Sequence, residues 1–180
     1  MACALPDEPA TLADFRVIYE AHFDYVWRTL QRLGVPERDL EDVAHDVFVA
    51  FYRGRATYDT RRPLKPWLFG ISFRVASDFR RRAQNKYEVP TDREEATDDA
   101  PAADELMAAR ERRALVARGL EALDLPRRAV FVMHDLDGCS MPEIAQVLSV
   151  PINTLYSRLR VAREQFALAV RRHRKRGDHE

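Results

Sequence analysis

Between residues 140 and 163 the chain sets Asn153, Thr154, Tyr156, Ser157, Arg158, Arg160 and Arg163 around two leucines, Leu155 and Leu159. The i, i+4 spacing puts both leucines on one side of a helix, so the polar and basic side chains fall outside the buried stripe. Their chemistry suits DNA: arginine forks onto guanine, asparagine onto adenine, and hydroxyls reach phosphates or base edges. The preceding residues supply the rest of such a module. Ser140-Met141-Pro142-Glu143 has capping-box spacing, Ile144, Ala145 and Leu148 give the helix that follows an apolar side, and Ser149-Val150-Pro151 breaks it. Two helices across a short turn make the layout of a helix-turn-helix. A helical hairpin with a solvated basic face shares this pattern; the run Arg171, Arg172, Arg174, Lys175 and Arg176 tips the balance toward DNA.

A second basic stretch comes earlier. Arg61, Arg62, Lys65, Arg74, Arg80, Arg81, Arg82 and Lys86 stand against the single acid Asp78. The formal net charge of the chain is +0, because the acids gather before residue 60 and between 88 and 105. Attraction to DNA depends on local potential rather than on the sum, so segregated charge marks phosphate-binding surfaces. Other chemistries find no support. His22, His45, His134, His173 and His179 are scattered, with no metal-ligand spacing and no Gly-rich phosphate loop. Asp98-Asp99 lies where no scaffold fixes a catalytic geometry. No enzyme, catalytic residue, metal or cofactor is expected. Cys3 and Cys139 form neither a metal pair nor a disulfide framework, which fits a reducing cytoplasm. No apolar run approaches the roughly 18 residues needed to span a bilayer, and the start has no basic leader, so no membrane insertion is expected.

The elements that position these residues read as helices throughout. Leu12, Phe15, Tyr19, Phe23, Val26, Leu30 and Leu33 form one stripe, stopped by Gly34 and Pro36. A second helix begins at Asp39, with Leu40, Val43, Val47, Phe48 and Phe51 inward. After a loop over 54–66, a third runs over 66–83, with two candidate stacking rings: Trp67, on the core side, and Phe73, whose side is left open. Glu88, Asp92, Glu94, Glu95, Asp98, Asp99, Asp104 and Glu105, with almost no large aliphatic residue, predict a flexible acidic linker over 88–106. Helices over 106–123 and 125–136 follow, then the helix-turn-helix, whose second helix continues to about residue 172. The fold class is all-α, in two small domains joined by the linker.

Several of these stretches are recognisable. Leu120-Glu121-Ala122-Leu123 through Pro126-Arg127-Arg128, then Gly138-Cys139-Ser140-Met141-Pro142-Glu143-Ile144-Ala145, then Thr154-Leu155-Tyr156-Ser157-Arg158-Leu159 and Ala162-Arg163 closely resemble domain four of the extracytoplasmic-function (ECF, group IV) sigma factors of bacterial RNA polymerase. Asp39-Leu40-Glu41-Asp42-Val43-Ala44-His45-Asp46-Val47-Phe48 resembles their polymerase-binding helix. Lys65-Pro66-Trp67-Leu68-Phe69-Gly70-Ile71, with Asp78 through Arg82, resembles their promoter-melting helix.

The resemblance implies an alternative sigma factor, with domain two over 12–87 and domain four over 107–172. It implies that Asp42, His45 and Asp46 meet a coiled coil of the largest polymerase subunit. Arg61, Arg62, Lys65, Phe73, Arg74, Ser77 and Arg81 would hold the melted −10 strand, with loop 55–65 taking a flipped base. The helix-turn-helix set named above would read −35 duplex. Implied partners are core RNA polymerase, promoter DNA and an anti-sigma factor. The chain also departs from the pattern. The family often has Arg-Asn where this chain has Phe73-Arg74, Gly at positions 149 and 153, Lys or Arg at 156, and Gln at 45. From Phe73-Arg74 an altered −10 contact and from Tyr156 an unusual −35 sequence are therefore expected, while His45 bears on polymerase binding. Two other classes fit in part. A helix-turn-helix regulator leaves the first half unexplained, and a helical adaptor predicts no promoter-dependent transcription.

Overall fold

Apolar residues at spacings of three and four give α1 (Leu12–Leu33) a continuous inner stripe, on which Val26, Leu30 and Leu33 are fully buried. Gly34 stops the helix at φ +85°, in a region that disfavours any Cβ. Its N–H donates to the Gln31 carbonyl and that of Val35 to Leu30, the paired bonds of a Schellman stop, with Val35 buried over the end. The computed structural model describes residues 12–59, 61–86 and 104–177. Among these residues, all regular structure is helical.

A 3₁₀ turn, Glu37–Asp39, leads into α2 (Leu40–Gly54), and α3 (Leu64–Lys86) closes a three-helix unit with α1 and α2. Its interior is aromatic. The Phe48 ring lies 4.6 Å from Tyr19 and 6.3 Å from Phe23, while Trp67 meets Phe51 at 5.2 Å and Tyr58 at 4.7 Å. A fully buried ring removes about 150–250 Å² from water; Phe48 and Phe51 are buried to that extent, and the other rings are partly covered against them. The expected loop over 54–66 is shorter than its Gly and Pro content suggests. A 3₁₀ turn, Arg55–Thr57, fills its start, and α3 begins two residues before Pro66. Pro66 thus sits in the first turn, where its missing N–H costs nothing.

The second half contains α4 (Asp104–Glu121), α5 (Leu125–Phe131), α6 (Met141–Leu148) and α7 (Ile152–Gly177). α7 packs against the other three. Phe166 lies flat where Gly119 has no side chain (a Cβ there would fall 2.3 Å from the ring) and stacks on Phe131 at 4.6 Å. The single helix expected over 125–136 is broken: after Phe131 the chain widens into a π turn, Val132–Leu136. α4 starts at Asp104, inside the stretch expected as linker. The rest of that expectation, residues 88–103, lies outside the described residues, as does Cys3.

The two halves meet directly, which periodicity gave no means to foresee. Gly70 of α3 approaches Val147 of α6 so closely that a Cβ would stand 3.0 Å from it. The Arg128 guanidinium, from α5, lies over Gly34. Asp137 accepts from the Tyr25 hydroxyl at 3.2 Å and from Arg32 at 3.0 Å, across the same seam. The buried side chains of both halves form one connected cluster. Among the described residues, no helix is long and apolar enough to cross a membrane.

Candidate nucleic-acid interface

The helix-turn-helix is built from local rules. The Ser140 Oγ accepts from the Glu143 N–H at 3.5 Å, and the Ser140 N–H donates to the Glu143 carboxylate at 2.8 Å, completing the capping box. The Ser140 hydroxyl, which donates to the same carboxylate at 2.6 Å, and the Ser140 N–H hold the Glu143 carboxyl below the usual carboxylate range. α6 ends at Ser149 in left-handed backbone (φ 54°), and both the Ser149 and Val150 N–H groups reach the Ala145 carbonyl. Pro151 then opens α7, its carbonyl receiving Thr154 N–H at 3.0 Å.

Ile144 of α6 meets the core with Leu155, Leu159 and Ala162 of α7, all nearly or fully buried. That orientation turns Asn153, Tyr156, Ser157, Arg160 and Arg163 outward, while Thr154 and Arg158 are half-buried at the edges. The whole set expected from the sequence therefore occupies one outward arc of α7. Its arginines are not equivalent. Arg160 pairs with Glu164 at 2.7 Å, one turn on. Arg163 makes a two-pronged pair with Asp135 in the π turn, Nε to Oδ2 at 2.8 Å and Nη2 to Oδ1 at 2.6 Å. The Arg163 guanidinium holds the Asp135 carboxyl below its ordinary range. Arg158 has no ion pair among the described residues.

A second basic surface runs from the turn before α3 along that helix. Arg61, Arg62, Lys65, Arg74 and Arg81 are exposed; Phe73 and Ser77 are half-buried. Asp59 gathers the front of this surface, accepting from the Arg61 N–H and its Nε at 3.1 Å and facing Arg62 at 3.6 Å. The backbone N–H of Arg61 is the main reason its carboxyl lies below the usual range. The Tyr58 hydroxyl donates to the Arg62 carbonyl and ties the turn to the aromatic cluster. Arg81 pairs with Asp78, and the Ser77 Oγ donates to the Phe73 carbonyl. Trp67, placed on the core side by its stripe, is half-buried and packs against the core beside Phe51 and Tyr58. Phe73, whose part the sequence left open, is half-buried and leans on the core with part of its ring covered.

A third surface is acidic. Asp42, His45 and Asp46 are exposed on one side of α2, opposite the buried Val43, Ala44, Val47 and Phe48. Beside them lies a shallow apolar groove lined by Phe15, Arg16, Tyr19, His45, Phe48 and Val49.

Sequence reasoning missed the acids that organise these surfaces. Asp135 and Asp137 belong to no helical stripe and resemble ordinary turn residues. Burial pushes the Asp137 carboxyl up despite the opposing charge of Arg32, and burial beside that acid raises the Tyr25 hydroxyl as well. His22 is buried on α1, and burial lowers its pKa. The Cys139 thiol is pushed up to about 11, chiefly by burial, which leaves it protonated and unreactive.

Comparison with known proteins bears on both halves. The family model described as Sigma-70 region 2 matches residues 18–86, and that described as Sigma-70, region 4 matches 113–166. The chain is 34% identical over 142 residues to the RNA polymerase sigma factor CnrH of Cupriavidus metallidurans, covering 74% of each. It is 31% identical over 154 residues to the ECF RNA polymerase sigma factor SigL of Mycobacterium tuberculosis, covering 85% of this chain and 86% of that one. Among solved structures it is similar to CnrH in complex with the cytosolic domain of CnrY, with a TM-score of 0.63, 28% identity and 88% of each chain covered. It shares its fold with RpoE of Bartonella quintana in complex with the anti-sigma factor NepR, with a TM-score of 0.67 at 18% identity, covering 88% of this chain and 97% of that one.

Proposed function

Because the chain belongs to the ECF RNA polymerase sigma factors, which direct polymerase to promoters and are initiation factors rather than enzymes, we propose a division of that work among its three surfaces. Asp42, His45 and Asp46 of α2 dock on a basic partner surface of core polymerase. Arg61, Arg62, Lys65, Phe73, Arg74, Ser77 and Arg81 hold the −10 strand once it is single. Asn153, Thr154, Tyr156, Ser157, Arg158, Arg160 and Arg163 engage −35 duplex. The domain carrying the first two surfaces spans 12–87, and the domain carrying the third spans 107–172.

One observation carries this reading. The outward arc of a capped helix-turn-helix and the outward side of α3 are both basic, whereas the outward side of α2 is acidic. Duplex recognition uses the N-terminal turns of a recognition helix, where Asn153 through Arg160 stand. Strand capture needs phosphate-neutralising arginines near aromatic surface, as where Tyr58, beside Trp67, ties the turn that carries Arg61 and Arg62. An acidic face repels DNA and complements a basic protein surface. Since the relatives CnrH and RpoE were solved with CnrY and NepR, an anti-sigma factor is a further partner, for which the groove beside His45 is the natural seat. The cytoplasm is the compartment that fits these partners.

Run-off transcription with purified core polymerase, with and without the chain, tests the reading, using templates selected from a random pool by the holoenzyme. Arg158→Ala should weaken −35 duplex binding by about 1–3 kcal/mol if it reads a base with two bonds. Arg74→Ala should spare that binding and impair permanganate-detected opening. Equal loss of duplex binding in both variants would collapse the two DNA surfaces into one.

A further inference from the structure

We propose that Asp135 is a positioning residue for promoter binding: it fixes the guanidinium of Arg163 so that the outer edge grips a phosphate, and Arg163 reads no base. The inference rests on the −35 reading and assigns one of its arginines a role of its own.

The geometry makes the case in three steps. First, the pair is two-pronged, with Nε and Nη2 of Arg163 on the two oxygens of Asp135 at 2.8 and 2.6 Å. Both planes are thereby set, because guanidinium and carboxylate forks match only when coplanar. Asp135 is itself held: its Oδ1 lies 2.8 Å from His134 Nδ1, and it belongs to a turn whose Val132 and Met133 are fully buried. Second, the acid lies behind and the base in front. The Asp135 side chain is 19% exposed and that of Arg163 53%. Of the five guanidinium donors two are engaged, and those left on Nη1 and Nη2 form the outer edge, a second fork suited to phosphate. Third, Arg163 lies about 16 Å along α7 from its start at Ile152. A recognition helix reads bases with its first turns, and the major groove is only about 8.5 Å deep. A side chain three turns along stands at the rim, beside the backbone.

Arg160 shows the contrast. Its pair with Glu164 lies along one helix with both side chains more than half exposed, and such pairs exchange readily for a better acceptor. Arg163 is anchored from another element and keeps its orientation before DNA arrives.

Simple electrostatics and positioning predict opposite signs for one substitution. Removing the Asp135 charge should tighten DNA binding if the acid only repels phosphate. If it positions Arg163, Asp135→Ala should weaken binding, by about three- to tenfold. The experiment uses the full chain with core polymerase and the tightest duplex that the wild type recovers from a random pool. Asp135→Glu should restore part of the affinity. Asp135→Ala with Arg163→Ala should bind no worse than Arg163→Ala alone, since the acid acts through the arginine. Arg163→Ala should reduce the salt dependence by about one phosphate contact and leave base preference unchanged. In the free chain, the Nε–H of Arg163 should exchange slowly by NMR and become fast in Asp135→Ala. If that variant does not fold, Asp135→Asn, which keeps the shape and one acceptor, decides in its place. Tighter or unchanged binding, an additive loss in the double variant, or a changed base preference in Arg163→Ala overturns the proposal. If the wild-type holoenzyme enriches no duplex at all, the −35 reading falls, and this inference with it.

Discussion

The outward faces of α2 and α7 are constructed in opposite ways. Asp42 and Asp46 stand exposed with no ion pair among the described residues, above a floor of packed rings. Arg163 is tied by a two-pronged pair to Asp135 of another element. An unpaired acid is open to whatever basic group a protein partner brings. A paired arginine gives up some of its field and gains a fixed direction, which favours a ligand whose phosphates recur at set intervals. The difference teaches that the acidic face relies on the rigidity of its floor, while the basic face carries one side chain, Arg163, held rigid by an acid.

The floor is the first place to break that comparison. Phe48 is 2% exposed and touches the rings of Phe15, Tyr19 and Phe23. Phe48→Ala should cost about 3–5 kcal/mol of stability in urea unfolding and abolish polymerase binding, although no charge changes. A small loss would mean that the cluster repacks freely and that α2 needs no such support.

Reversing the face tests the same surface without touching its floor. Asp42→Lys with Asp46→Lys should weaken binding to core polymerase by about tenfold or more, while helical content by circular dichroism stays unchanged. Wild-type affinity in that double variant would remove α2 from the interface.

Acid sharpens the contrast between anchored and seam carboxylates. Glu143 and Asp135 have lowered pKa values in the fold, from the Ser140 bonds and the Arg163 guanidinium respectively. The stability they contribute is present above the ordinary carboxylate pKa and is lost as pH falls through their folded values. Asp137 is raised by burial, so its neutral form suits the fold, and stability is gained as pH falls from above its folded value toward the ordinary one. Between about pH 7 and about pH 3, Glu143→Gln should make the fall of the melting temperature with acid shallower, and Asp137→Asn should make it steeper. Identical slopes for the two variants would show that the seam acid does not feel its burial.

The smallest expected effect lies in the turn between α6 and α7. Ser149 holds φ 54°, where a side chain costs energy that glycine avoids. Ser149→Gly should be stabilising by up to about 1 kcal/mol, as read from thermal unfolding of the full chain, and should leave DNA selectivity unchanged. A destabilised variant would indicate that the serine has a role beyond the backbone.

Much of this fold was legible in the chain because its signals are local. Three- and four-residue spacing located α1, α2, α3 and the recognition helix; Ser140 with Glu143 marked the start of α6, and Gly34 the end of α1. The outward arc of α7 followed from Leu155 and Leu159 alone, since two buried points on a helix determine what faces away.

What periodicity could not supply is whatever depends on how helices cross. The π turn at Val132–Leu136 has the residues of an ordinary helix, and the partial covering of Phe73 comes from its packing against the core. Asp135 finds Arg163 at a separation of 28 residues, and Asp137 finds Tyr25 at 112. The sequence by itself determined that the chain is helical, the cap of α6, the stop of α1 and which sides of α1, α2 and α7 turn outward, because each rests on neighbours within about one turn. Only the tertiary structure decided which acid restrains which arginine, since a carboxylate becomes a positioning group or a buried burden according to what another helix brings against it.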